Sequence, residues 1–252
     1  MVVGIEKMSI PLHEGAGPFS GTADGLMQAK IVSYGRSYGI ITSESDAKVL
    51  KALALLKAAS RHQIGEYTGL SQHALKTSMP RLLRLGFIDA IETGRTPPIY
   101  VLGPEGLILF KKKAEEWHIL KAFRIAAANQ LFLKLRPVLS GAVSYEVEPH
   151  QGLIASIKAG DTEFGVIAPR VWPSEVDWCR DMVEIAPEEV RLVIVAGSKT
   201  LAEECCRVIK SPRPIRFTWD GLLKDGAVFY KKKGNFLVQA EDFRLTEKSE
   251  VV

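Results

Sequence analysis

The chain has 252 residues, 46% hydrophobic and 25% charged, with a modest net charge of +4. This suits one large or two small globular domains and is far from a disordered or collagen-like composition. No apolar run reaches the roughly 18–20 residues of a membrane-spanning helix, and the opening stretch lacks the basic and apolar blocks of a secretory signal.

The cysteines are Cys179, Cys205 and Cys206. No CxxC or His/Cys pair has zinc spacing, so a disulfide framework and a structural metal are not expected. A reducing, cytoplasmic setting with no cofactor follows. The charge is unevenly spread: residues 44–113 carry 11 Lys/Arg against 6 Asp/Glu, and residues 140–252 carry 15 against 18. A polyanion partner is therefore expected for the first half alone.

Residues 1–43 are rich in Gly and Ser and read as a partly disordered arm, in which "AKIVSYGRSYGIIT" has strand character. Order begins at "TSESDAKVLKALALLKAA". Ser43 and Asp46 have capping-box spacing, and Val49, Leu50, Leu53 and Leu56 recur at helical intervals. A second helix follows Ser60, with Gln63 at capping distance and Gly69 as its stop. A third follows Ser71, with Leu75, Met79, Leu82 and Leu83 on one buried face. Pro80 falls on the opposite face, where it removes one hydrogen bond and bends the helix without changing its phase.

After Gly86 the period changes from helical to alternating. "FIDAIE", the turn "TGRTPP" and "IYVLG" read as a hairpin. Helix, helix, turn, helix, hairpin is the order of a winged helix-turn-helix, placed at residues 44–113. One or two helices run from Gly103-Pro104 to Pro137, and residues 114–252 form an α/β domain with a mixed sheet in the order αβββαβαβ. The fold class is thus α+β at the level of the chain. "VRLVIVAG" is the continuous apolar run of a buried parallel strand, and "AVFYKKKGNFLVQA" is a closing hairpin with its lysines at the turn.

The segment from "DAKVLKALALLKAASRHQIG" through "RLLRLGFID" and "IYVLGPEG" resembles the winged-helix half of the replication-relaxation family. Its members are DNA-binding proteins of plasmids and integrative elements. "VRLVIVAG" and "IRFTWDGLL" are similar to the second half of that family, so the resemblance spans roughly residues 44–225. It implies a protein of a bacterial mobile element acting in transcription control, plasmid replication or transfer, with replication or conjugation proteins as further partners.

The αβββαβ order is also similar to the core of PD-(D/E)XK nucleases. In that family, metal is held by acids on the second and third strands, and a lysine follows the acid of the third. Here "TEFGVIA" offers Glu163, with Asp161 in the preceding turn, but Gly165 stands where the lysine belongs. The missing lysine would orient the attacking water and neutralise developing charge. The resemblance therefore implies an inactive nuclease-like domain used for dimerisation or partner binding. No catalytic residue is expected, and the chain is read as a non-enzyme.

With the apolar stripe of the third helix buried, its outer face is Gln72, His73, Lys76, Thr77, Pro80, Arg81 and Arg84. Gln pairs with adenine edges, and Lys or Arg with guanine edges or phosphate. The N-terminal turns of a reading helix meet the bases, which assigns Gln72, His73, Lys76 and Thr77 to bases and Arg81 and Arg84 to phosphate. Ser60 and Ser71 stand at helix N-termini, where backbone N–H groups favour phosphate. Arg95 is at the tip of the wing.

The expectation is a sequence-specific double-stranded DNA-binding homodimer, since one winged helix buries too little surface for a tight site. The alternatives are a metal-dependent nuclease or nicking protein and a protein-bridging module without DNA affinity. The four tryptophans, Trp117, Trp172, Trp178 and Trp219, read as core or interface aromatics, and Cys205-Cys206 as buried thiols.

Overall fold

A computed structural model describes residues 30–32, 43–92, 97–139, 142–150, 152–224 and 226–240. The expectations for an arm before residue 30, for residues 33–42 and for the wing tip at 93–96 lie outside the described residues. The chain is mixed α+β. None of the helices among the described residues is long and apolar enough to cross a membrane.

The first helix, α1 (Glu44–Leu56), starts where the Ser43 hydroxyl accepts the Asp46 N–H. Val49, Leu50, Leu53 and Leu56 form its buried stripe. Lys57, in the left-handed half of φ space at 57°, turns the chain into a short strand β2 (Ala58–Ser60). Helix α2 (Arg61–Thr68) opens with a complete capping box. Ser60 accepts from the Gln63 N–H, and the Gln63 side chain accepts from the Ser60 N–H at 3.0 Å. Gly69, at φ 71°, closes it in the left-handed conformation that glycine adopts at no steric cost. Helix α3 (Gln72–Arg84) is capped by Ser71 and runs unbroken through Pro80, with Leu75, Met79 and Leu82 buried.

Strands β3 (Ile88–Glu92) and β4 (Ile99–Leu102) pair antiparallel. Strand β1 (Lys30–Val32) and β2 flank them, giving the sheet order β1-β3-β4-β2. The sequence pattern missed β2, because a strand three residues long between two helices has no period to read. The stretch "GPEG" has a steric reason. A Cβ on Gly103 would lie 2.5 Å from the Gly86 carbonyl oxygen, and one on Gly106 would strike the Phe87 carbonyl. Two glycines thus let the short helix α4 (Pro104–Leu109) sit against the start of β3.

Helix α5 (Ile119–Leu135) is buried on almost every side. One face packs on α1, α2, β2 and β4, and another packs on the large sheet. A single hydrophobic core therefore runs from Val49 in α1 to Phe229. The large sheet is made of β5 (Val143–Val147), β6 (Ala155–Ala159), β7 (Thr162–Ile167), β8 (Arg191–Ala196), β9 (Ile215–Trp219), β10 (Tyr230–Lys233) and β11 (Phe236–Gln239). Its order is β11-β10-β9-β8-β7-β6-β5. Strands β7, β8 and β9 are parallel, and the outer pairs are antiparallel.

The crossover helices α6 (Ser174–Ile185) and α7 (Lys199–Val208) cover the other face of this sheet with a second core that includes Ile194 and Phe217. Helix α6 has Pro173 as its N-cap, without a side-chain bond. One detail differs from the sequence pattern. The lysines 231–233 lie in strand β10, and the turn is Gly234-Asn235, with Gly234 at φ 63°.

Candidate nucleic-acid interface

Helix α3 packs on α1, α2 and β3, while α5 approaches the first half through β2, α2, α1 and β4. The α/β half is therefore attached by elements other than the helix proposed to read DNA. Gln72, His73, Lys76, Thr77, Pro80 and Arg84 are all exposed. The Thr77 hydroxyl donates to the His73 carbonyl at 3.2 Å, and Ser71, also exposed, accepts the Ala74 N–H at 3.2 Å.

No Asp or Glu occurs on α3. The acids of the two neighbouring helices are matched by cations. Glu44 pairs with Lys48 at 2.8 Å, which holds its carboxyl below the ordinary range through hydrogen bonding and charge. Glu66 pairs with Lys134 at 3.1 Å. Lys76 has no ion-pair partner among the described residues. Its charge stands uncompensated on the N-terminal half of the helix, where a polyanion gains most from it.

Two of the expected contacts are engaged elsewhere, and a third is not described. Ser60 is buried and its hydroxyl is used in the capping box, so it does not reach the exposed face. Arg81 is only half-exposed and pairs with Asp46 of α1 at 2.6 Å. Its guanidinium is a tie between α1 and α3 as well as a surface cation. Arg95 lies outside the described residues.

The sequence pattern also missed a polar seam beneath α3's neighbours. The Gln63 side-chain amide donates to the Ala126 carbonyl at 2.6 Å and to Gln130 at 3.3 Å. The Asn129 amide donates to the carbonyls of Leu56 at 3.1 Å and Ala58 at 2.6 Å, and accepts the Tyr145 hydroxyl at 2.6 Å. Tyr145 stacks on Phe132 with ring centroids 4.3 Å apart, and burial pushes its hydroxyl pKa up. All these polar groups are buried, and they fix the α1–β2–α2 corner on α5. At the rim, Lys57 and Lys121 each pair with Glu115 and Glu148.

Strand β7 is tightly packed around Gly165. Glu163 accepts a hydrogen bond from Ser156 and faces Lys158 across the strand pair. A Cβ at Gly165 would lie 2.7 Å from both Leu153 and Val190, so no lysine side chain fits there without repacking. No group of three or more His, Cys, Asp and Glu residues among the described residues could hold a metal ion.

At the carboxyl ends of the parallel strands, a common ligand position in such sheets, Arg170 pairs with Asp220 at 2.5 Å. It also donates to the Val195 carbonyl. Glu175 accepts from the N–H groups of Arg170 and Val171 and from Arg124. Burial, partly offset by Arg170, raises the Asp220 carboxyl. Both members of the Arg170–Asp220 pair are buried, so this cluster ties strands together inside the fold.

The remaining aromatic, lysine and cysteine motifs make contacts within the fold. Arg124 lies 3.9 Å above the Trp178 ring and Trp219 packs on Tyr230. Trp117 and Trp172 are partly buried. The Lys112 ammonium donates to the Ala54 carbonyl near the end of α1. A hydrogen bond with Cys205, with burial, pushes the Cys179 thiol up, and burial does the same to Cys206. Comparison of the chain with known protein families, with curated proteins and with solved structures finds no match.

Proposed function

We propose that the chain is a sequence-specific double-stranded DNA-binding protein of a bacterial mobile element, acting in transcription control or in plasmid replication or transfer. In this reading α1, α2, α3 and the β3–β4 hairpin are a winged helix-turn-helix. Gln72, His73, Lys76 and Thr77 meet base edges in the major groove, and Ser71 and Arg84 meet the backbone. The α/β half serves dimerisation or partner binding and has no catalytic task. The carrying observation is the acid-free, exposed face of α3, next to helices whose acids are already paired.

The test is fluorescence anisotropy with duplex DNA over a salt series. Lys76→Ala should weaken binding and, if Lys76 meets a phosphate, lower the slope of log affinity against log salt by about 0.9. If wild type fails to bind any duplex at low salt, or Lys76→Ala binds as wild type does, the reading is wrong. Arg81→Ala is not a clean probe, because Arg81 also holds Asp46.

A further inference from the structure

Many cations of the α/β half are engaged. Arg170, Arg180, Arg207 and Lys199 are in ion pairs, and Arg213 and Lys232 donate to backbone carbonyls. Arg191, Arg216, Lys231 and Lys233 have no hydrogen-bond or ion-pair partner among the described residues. Lys158, Lys210 and Lys224 share that state but stand on separate elements.

The strand register puts the first four cations on one sheet face. Val193 and Val195 of β8 point into the core under α5, so Arg191 lies on that side. Val193 pairs with Arg216, Arg216 with Lys231, and Lys231 with Val238. Lys233 pairs with Phe236. Helix α5 packs on β6, β7 and β8, and on this face of β10 and β11 the side chains of Lys231, Lys233, Phe236 and Val238 are exposed. Phe236 is 76% exposed and Val238 is 40% exposed. The opposite face is closed by Leu237 and Tyr230, which pack against the core under α7. The rows Arg216–Lys231–Val238 and Lys233–Phe236 contain no acid.

We propose that this exposed face of β10 and β11, bordered by Arg191 and the partly exposed Arg216, binds single-stranded nucleic acid, with Phe236 as a stacking platform and Arg191, Arg216, Lys231 and Lys233 tracking the phosphates. A row of unpaired cations beside an exposed aromatic ring is the combination that holds single strands without reading sequence. Side chains two apart on a strand are about 7 Å apart, a spacing comparable to that of successive phosphates in an extended strand. The charge also selects the occupant. A second copy of the chain seated here would bring like-charged rows towards each other, whereas a polyanion neutralises them. This surface is independent of α3 and adds a single-strand contact to a duplex reader, as a protein working at a melted origin or transfer site would need.

The experiment is anisotropy of labelled oligo-dT and oligo-U with the full chain, comparing wild type, Phe236→Ala, the double variant Lys231→Ala/Lys233→Ala and Lys76→Ala. Wild type should bind. Phe236→Ala should weaken binding by between about 5- and 150-fold, the range seen for loss of one stacked base. The lysine pair should lower the salt slope by roughly 1.4. Lys76→Ala should leave oligo-dT binding intact, which separates this surface from the duplex reading. Tighter binding of oligo-dT would assign the face to DNA, and tighter binding of oligo-U to RNA. All the substituted side chains are exposed, and far-UV circular dichroism checks the fold. The proposal is overturned if oligonucleotides do not bind at low salt or if these variants bind as wild type does. It is also overturned if Phe236→Ala leaves binding intact and turns a dimer into a monomer, which would make the face a copy-to-copy contact.

Discussion

Replacing Arg81 by Ala should damage the fold before it damages DNA binding. Asp46 is 1% exposed, and its Oδ1 has no hydrogen-bond partner among the described residues. The Arg81 guanidinium is therefore the main compensation for a buried carboxylate. Removing one member of a buried ion pair costs roughly 3–5 kcal/mol. The Arg81 side chain is 34% exposed, so water reaches that end of the pair, and the discounted cost is about 2–3 kcal/mol. At about 2–4 °C per kcal/mol for a chain near this size, Tm should fall by roughly 5–10 °C. Adding Asp46→Asn should recover at least about 1 kcal/mol, because the amide needs no counter-ion. Lys76→Ala should stay within about 0.5 kcal/mol of wild type, as exposed substitutions do. Urea unfolding followed by circular dichroism measures all four proteins. The reasoning is refuted if Arg81→Ala is as stable as Lys76→Ala, or if the double variant is no better than the single one.

Asn129→Ala strands two carbonyls and the Tyr145 hydroxyl in the core, and should cost about 3–5 kcal/mol. Tyr145→Phe should cost only about 1–2 kcal/mol, and a double-mutant cycle of the two by urea unfolding should show coupling. Gly165→Ala should destabilise by about 1–3 kcal/mol through overpacking against Leu153 and Val190. Gly165→Lys should cost more and yield no cleavage in a Mg²⁺ or Mn²⁺ assay.

The rim cluster predicts a pH signature at both extremes. Burial pushes the Glu115 carboxyl up, but bonds and charge from Lys121 and Lys57 outweigh it, so its pKa lies below the ordinary value. Its stabilisation is present above that ordinary value and is lost as pH falls through the lowered one. Burial lowers Lys121, but Glu148 and Glu115 outweigh it and raise its pKa. Its stabilisation is present below the ordinary lysine value and is lost as pH rises through the raised one. Glu115→Gln should flatten the acid limb of a stability–pH profile by a fraction of a kcal/mol, since these groups are partly solvated.

Local signals were legible in the sequence. Ser43, Ser60 and Ser71 cap their helices because the bond runs only three residues along the chain. The alternation of the strands and the apolar run of β8 also depend on nearest neighbours. The exposed face of α3 followed from the phase of Leu75, Met79 and Leu82. What escaped depends on distant partners. Gln63 reads as a capping residue, yet its second bond goes to Ala126, 63 positions away, and Asn129 reaches Leu56 over 73. Arg81 looked like a phosphate contact because nothing in α3 shows that Asp46 is buried beside it. The lysines of β10 looked like turn residues because charge masks strand alternation, and only the register with β9 and β11 shows which of them share a face with Phe236.

The most direct test of duplex reading by α3 is selection of bound sequences from a random duplex pool, run on wild type and on Gln72→Ala. Wild type should enrich a defined motif, two-fold symmetric if the protein is a dimer. Gln72→Ala should lose preference at one position per half-site while keeping the rest. Enrichment of no motif, or of the same motif at undiminished strength by Gln72→Ala, would contradict the assignment of the N-terminal turns of α3 to the bases.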